Sequence, residues 1–289
     1  MIKWIVSDMD GTLLNAAHEI SEENVQAIEY AQSQGITVVI ATGRAFYEAN
    51  TPIAQTDLKL PYICLNGAEV RDESFNISST SNLNRELIDR ITDVLNRESI
   101  YYQIYTNIGI YTENPQRDLD IYIDIAERAG QQADVEKIKA GIQKRIDNGT
   151  LKVVDNYDKI KDTPGEIVMK ILAFDSDLEK IDRVSEELAQ SGSLAVSSSS
   201  RGNIEITHAD AQKGIALQTI ADRLKVDMSD VMAIGDNLND VSMLERAGYS
   251  VAMANATDEV KATAKFETES NENSGVGKAI MKLLKEYNN

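Results

Sequence analysis

Cysteine is nearly absent from this chain, with Cys64 as the single example. An intramolecular disulfide is therefore impossible, a cysteine-rich zinc site is excluded, and a reducing cytoplasm is the simplest compartment. Long hydrophobic runs are missing too. No stretch approaches the roughly 18 apolar residues of a membrane helix. The short apolar start, Ile2 to Val6, meets Asp8 too soon to read as a secretory signal. Histidine occurs only at His18 and His208, far apart and without ligand spacing. Basic charge is scarce: 29 Lys and Arg face 47 Asp and Glu, a net charge of −18. That balance weighs against duplex nucleic acid or an anionic membrane as partner, because both are bound through clustered Lys and Arg. It also means that an anionic ligand needs a local positive site. There is no internal repeat, and Ser197 to Ser200 is the one low-complexity patch.

What is present is ordinary globular composition, 42% hydrophobic and 26% charged. At roughly 100–200 residues per domain, 289 residues make one large domain or two modest ones. The first segment reads as strand, helix, strand. Ile2 to Val6 is a buried strand ending in the polar turn Asp8-Met9-Asp10-Gly11-Thr12. Ser21 is placed to cap a helix with Glu22 and Glu23 in its first turn, Val25, Ile28 and Ala31 on one face, and Gly35 as its stop. Strands at Thr37–Ala41 and Tyr62–Leu65 follow, ending in Thr42-Gly43-Arg44 and Asn66-Gly67. The same grammar returns late, with a helix over Lys213–Leu224, a strand Val231–Gly235 running into Asp236 to Asp240, a helix to Ala247, a strand Tyr249–Met253, and a helix Val276–Tyr287. Continuous apolar strands between helices indicate a parallel sheet covered on both faces.

The middle reads differently. Helix is expected at Leu83–Asn96, over much of Asp118–Asn148 and at Leu178–Ala189. A strand is expected at Ile167–Phe174. Hairpins are expected at Tyr101–Tyr105 with Ile108–Thr112, and at Leu194–Ser199 with Asn203–Thr207 turned at Arg201-Gly202. The fold class is thus α/β: a doubly wound, mainly parallel, Rossmann-like core over residues 1–82 and 209–289, with an α+β cap domain inserted over 83–208. The insertion holds 16 basic and 23 acidic side chains and the remainder 13 and 24, so neither part is basic.

In an open parallel sheet, ligands sit outside the carboxyl ends of the strands. That edge receives Asp8 and Asp10 from the first strand, Thr42 from the second, and Asp236, Asn239 and Asp240 from the strand after Val231. A helix start adds Lys213. Four clustered carboxylates repel one another unless a cation is shared. Mg²⁺ is held by one or two carboxylates together with substrate phosphate. An ammonium and a hydroxyl beside it suit phosphate oxygens. An Asp near phosphorus can act as nucleophile, and a second Asp two residues on can move the proton.

These motifs carry a resemblance. Asp8-Met9-Asp10-Gly11-Thr12-Leu13-Leu14, Ala41-Thr42-Gly43-Arg44, Lys213-Gly214 and Gly235-Asp236-Asn237-Leu238-Asn239-Asp240 resemble, in order, the four motifs of the haloacid dehalogenase (HAD) superfamily of phosphohydrolases. Asn66-Gly67-Ala68, Val251 to Ala256 and Gly275-Val276 resemble its Cof-type subfamily, whose type IIB cap lies between motifs two and three. The resemblance covers the core; the cap is matched by position and rough pattern. It implies a Mg²⁺-dependent phosphomonoesterase acting through an aspartyl-phosphate on small phosphorylated metabolites such as sugar phosphates. By the same resemblance Asp8 is the nucleophile and Asp10 the general acid/base, and Lys213 neutralises the phosphoryl group and holds Asp8. Thr42, Gly43 and Asn239 bind phosphate. Asp8, the Asp10 carbonyl and Asp236 hold the metal, and Asp240 orients Lys213 or metal-bound water. The cap is expected to close during turnover and to choose the substrate. A cytoplasmic monomer or weak homodimer is expected.

Other residues have plainer readings. His18 belongs to the loop after motif one and His208 to the returning hinge. Cys64 reads as a small buried hydrophobe. Tyr101, Tyr102, Tyr105 and Tyr111, alternating on a hairpin, read as cap packing, with substrate contact by one of them as the alternative. Arg44 fits either phosphate binding or a helix cap. Asn66 is explained by its turn. Two other functions use the same residues: a phosphotransferase or mutase, and a non-catalytic phospho-metabolite sensor. A receiver-like phosphoacceptor domain would not need so large an insertion.

Overall fold

The structure, a computed structural model, describes residues 1–128, 132–161, 163–198 and 202–288, with side chains 125–128 outside the description. The first segment runs β1 (Trp4–Ser7), α1 (Glu22–Ser33), β2 (Thr37–Ala41), α2 (Phe46–Ile53), β3 (Tyr62–Cys64), β4 (Glu69–Arg71) and β5 (Ile77–Thr80). The second begins with α3 (Arg85–Arg97), β6 (Tyr101–Thr106), β7 (Gly109–Thr112), α4 (Pro115–Arg128) and α5 (Val135–Asp147). It continues through β8 (Leu151–Val153), α6 (Asp158–Lys161), β9 (Val168–Phe174), α7 (Leu178–Ala189), β10 (Leu194–Ser197) and β11 (Asn203–His208). The third has α8 (Lys213–Leu224), β12 (Val231–Gly235), α9 (Val241–Leu244), β13 (Tyr249–Ala252), α10 (Asp258–Thr263), β14 (Phe266–Glu267) and α11 (Gly275–Tyr287).

These segments form two compact units, one of Met1–Ser81 with Asp210–Asn289 and one of Asn82–Ala209. The first holds an eight-stranded sheet in the order β14-β13-β12-β1-β2-β3-β4-β5. It is parallel from β14 to β3, and β4 and β5 add an antiparallel edge. β1 lies centrally and is buried along its whole length, as its run of Trp4, Ile5 and Val6 requires. Ser21 caps α1 by accepting the Asn24 N–H, and Gly35 leaves it at φ 77°, a left-handed value that glycine reaches without strain.

The second unit is built on a six-stranded sheet, β10-β11-β9-β6-β7-β8, antiparallel except for β7 with β8. Leu87, Ile91 and Leu95 of α3 and Ile181, Val184 and Leu188 of α7 pack on Ile104, Ile171, Ile204 and Ile206 in one apolar cluster. The four tyrosines do not share a face. Tyr102 and Tyr111 join this cluster. Tyr101 donates to Asp118 and accepts from the Thr112 hydroxyl. The Lys170 ammonium lies 4.7 Å from the centre of the Tyr105 ring. Adjacent strand residues point to opposite faces, so Tyr101 and Tyr102 had to part.

Several boundaries differ from the expectation. The helix expected to reach Ala247 ends at Leu244 and is entered through a 3₁₀ turn, Leu238–Asp240. The strand expected to Ser199 ends at Ser197, and Arg201, named as the hairpin turn, lies outside the described residues with Ser199. β4, β5, β8 and β14 have no counterpart in the sequence analysis; each is four residues or fewer, too short to show a period.

Candidate active site

Three parallel strands and one helix bring the polar motifs together at the carboxyl edge of the first unit's sheet. β1 ends at Ser7 and presents Asp8, whose backbone N–H donates to the Ile234 carbonyl at 3.0 Å. α8 starts at Lys213, which is fully buried. Its Nζ donates to Asp8 Oδ1 at 2.6 Å and to Asp240 Oδ1 at 2.7 Å. The other Asp240 oxygen accepts the backbone N–H groups of Asp236 and Asn237 at 2.9 and 3.0 Å. Asp240 thus spends one oxygen on holding its own loop and the other on Lys213.

Asp236 stands across from Asp8, with Thr12 Oγ1 donating to its Oδ1 at 2.7 Å. Among the described residues, Asp8, Asp236 and Asp240 are the one acidic group that brings an oxygen from each member within 4.8 Å of the others. Close approach explains Gly11, at φ 78°: a β-carbon there would lie 2.4 Å from Asp236 Oδ2. Gly214 permits an equally close contact, since a β-carbon would lie 2.0 Å from the Ser242 carbonyl oxygen.

The charges follow from burial. Desolvation and the neighbouring Asp240 push the Asp8 carboxyl well above the ordinary range, against the pull of Lys213. Burial likewise raises Asp236 to about 6, opposed by the Thr12 hydrogen bond. Burial alone would lower the Lys213 ammonium, but the Asp240 and Asp8 carboxylates outweigh it and raise its pKa. One ammonium therefore faces three crowded carboxylates. Carboxylates alone, with no His or Cys among them, are a donor set for a hard oxygen-seeking cation.

Asp10 does not join this cluster. The Arg44 guanidinium grips it in a fork, Nε to Oδ2 at 2.7 Å and Nη2 to Oδ1 at 2.5 Å. A planar fork matched to a carboxylate wins over a fourth negative neighbour. Arg44 therefore neither caps α2, whose N-cap is Ala45, nor stands free for phosphate. His18 is exposed in the loop after motif one, its Nδ1 3.3 Å from Arg44 Nη2 and 3.8 Å from Asp10 Oδ1.

Thr42 is buried at the end of β2, where its hydroxyl accepts the Arg44 N–H at 3.1 Å. Asn239 Nδ2 donates to Asn66 Oδ1 at 3.2 Å. Asn66 thus enters the site on more than its turn. Leu65 and Asn66 both hold left-handed backbone, at φ 51° and 57°. Such outliers are concentrated at functional sites, and the NG signal reveals the turn without revealing its use. Two further asparagines steady the first motif: Asn255 Nδ2 donates to the Gly11 carbonyl at 2.8 Å and Asn271 Nδ2 to the Leu14 carbonyl at 2.9 Å. Asn255 sits in a motif the sequence analysis names, and Asn271 carries no sequence signal at all.

A doubly wound sheet with this lysine, these aspartates and this motif order defines a phosphoryl-handling hydrolase scaffold, and the family comparison agrees. Residues 5–280 match the haloacid dehalogenase-like hydrolase family, to which the chain belongs. It is 35% identical over 284 residues, 98% of either chain, to the 5-amino-6-(5-phospho-D-ribitylamino)uracil phosphatase YwtE of Bacillus subtilis. It is 32% identical to the phosphatase YwpJ of the same organism, covering 98% of this chain and 100% of the relative. Among solved structures, a haloacid dehalogenase-like hydrolase from B. subtilis superposes with a TM-score of 0.86 at 31% identity, covering 98% of this chain and 100% of that one.

Proposed function

We propose that the protein is a phosphomonoesterase in which Asp8 attacks phosphorus and is transiently phosphorylated. The observation that carries this reading is the Lys213 ammonium, buried and bonded to both Asp8 and Asp240. A lysine so fixed favours the ionised nucleophile against the effect of burial, and it supplies positive charge where phosphoryl oxygens arrive. That local charge answers the problem of an anion approaching a chain of net charge −18. Thr42, Gly43 and Asn239 are assigned to the remaining phosphoryl oxygens.

Asp10 protonates the departing alcohol and then takes the proton from the attacking water. In this structure Arg44 holds the Asp10 side chain aside, and Arg44 is thus the residue that positions it. Asp8 and Asp236, with the Asp10 backbone carbonyl, would hold Mg²⁺, which neutralises charge on the transferring group. The crowded carboxylates and their raised pKa values support a divalent cation here. Every one of these side chains comes from the first unit, and we assign the choice of leaving group to the inserted unit.

The substrate class is a small phosphorylated metabolite, with sugar phosphates and phosphorylated ribityl compounds, named for YwtE, as the first to try. The test is phosphate release from a panel of sugar phosphates, nucleotides and phosphorylated cofactors, with Mg²⁺ and with EDTA, parent beside Asp8→Asn. Metal-dependent release that the variant lacks is the expected result. Activity of Asp8→Asn within tenfold of the parent would overturn the assignment.

A further inference from the structure

A cavity of about 490 Å³ opens in the first unit at the edge of the sheet opposite the carboxylate cluster. That volume lies within the range of small-molecule sites. Its floor is one face of the sheet. Trp4 pairs with Thr37, and Val39 follows on the same side. Ala41 pairs with Ile63 and Ile63 with Val70, which carries the same face across to β4. α8 covers this face only as far as Leu224, because Lys225 turns left-handed at φ 58° and ends the helix. The opening is what the short helix leaves uncovered, walled by Ile220 and by Leu224, which is 57% exposed.

Trp4 is the chain's only tryptophan and is 7% exposed. It lines the cavity beside Thr37 and Val39. The rim is close to balanced in charge. Arg71 is taken by Glu69 at 2.6 Å and by the Phe75 carbonyl at 2.9 Å. Asp72 is turned into its own loop, accepting the Ser74 and Asn76 N–H groups, both at 2.9 Å. Arg223, bonded to the Ser78 carbonyl at 3.3 Å, and Glu73 also line the cavity. A strongly charged ligand gains little from such a rim. An apolar floor, an indole N–H donor, a threonine hydroxyl and one charge of each sign suit a flat ring with both donor and acceptor edges.

We infer that this cavity is a second binding site, distinct from the carboxylate edge, for a small uncharged planar heteroaromatic compound of the nucleoside kind. The inference stands on the cavity alone and not on the phosphatase reading. The single tryptophan makes it directly readable. Emission of Trp4, excited at its red edge, is followed while adenosine or uridine is added with Mg²⁺ and inorganic phosphate present throughout. A saturable change is expected, with affinity unaltered by omitting the phosphate. Thr37→Phe, which fills the floor, and Leu224→Asp, which places a charge on an already exposed wall, are each expected to weaken binding at least tenfold. A linear change like that of free tryptophan, equal affinity in folded Leu224→Asp, or competition by phosphate would each overturn the proposal.

Discussion

Lys213 is the residue on which the charge of the site turns. It is a full ammonium with no solvent exposure, and the carboxylates of Asp8 and Asp240 are its two partners. Replacing it by Met removes the positive member of a buried ion network and leaves both acids uncompensated, which costs about 3–5 kcal/mol. Urea unfolding of Lys213→Met is expected to show that loss, together with a fall in turnover of about 100-fold or more, since a fixed donor to the transferring group disappears. Full stability with full activity would remove the lysine from the account. The same residue also shows where sequence reasoning succeeds. Lys213 alone in a sequence means nothing, but its place at a helix start beside two aspartate-bearing strand ends is legible from period and order. Its choice between Asp8 and other neighbours is not, because that depends on which side chains the sheet brings within 3 Å.

At the scale of elements, helices and strands were largely legible, and their ties were not. α7 and α8 were expected at Leu178–Ala189 and Lys213–Leu224, and they occupy those spans, because each carries an apolar stripe and a definite start. Asn24 is the counterexample. It sits inside the pattern of α1 as one more polar residue, yet it is fully buried. Its Nδ2 donates to the Leu13 carbonyl at 3.2 Å, and its Oδ1 accepts the Gly277 N–H at 2.8 Å. One side chain thereby ties α1 to α11 and to the first motif. Asn24→Ala strands both backbone groups and is expected to cost about 1–3 kcal/mol for each group left unsatisfied. Thermal unfolding checks it, and a change under about 0.5 kcal/mol would contradict the assigned role. The hairpins of the second unit were legible as pairs, while the sorting of Tyr101 from Tyr102 had to wait for the register of β6 against β9.

At the scale of the whole molecule, the proposed metal site at the acidic cluster should make folding sensitive to divalent cations. Folding brings Asp8 to Asp236 and Asp240, which lie far from it along the chain. A cation that binds only the folded form stabilises it by about 2.7 kcal/mol at a hundred times its Kd. Mg²⁺ should therefore raise the Tm of the parent protein and EDTA should lower it, by several degrees for a domain of this size. The shift should be absent when Asp8 and Asp236 are both replaced by Asn. Equal Tm values in Mg²⁺ and EDTA would contradict a metal site at this edge.

The central claim is that Asp8, and not water, first takes the phosphoryl group. The stereochemical course at phosphorus tests this most directly. A phosphorothioate monoester made chiral at phosphorus with two oxygen isotopes is hydrolysed, in the presence of Mg²⁺, in water carrying the third isotope, and the configuration of the inorganic thiophosphate released with the alcohol is read. Two in-line displacements through Asp8 give net retention, which the geometry of Asp8 and Lys213 predicts. Net inversion would mean a single direct displacement and would contradict the assignment of Asp8 as nucleophile.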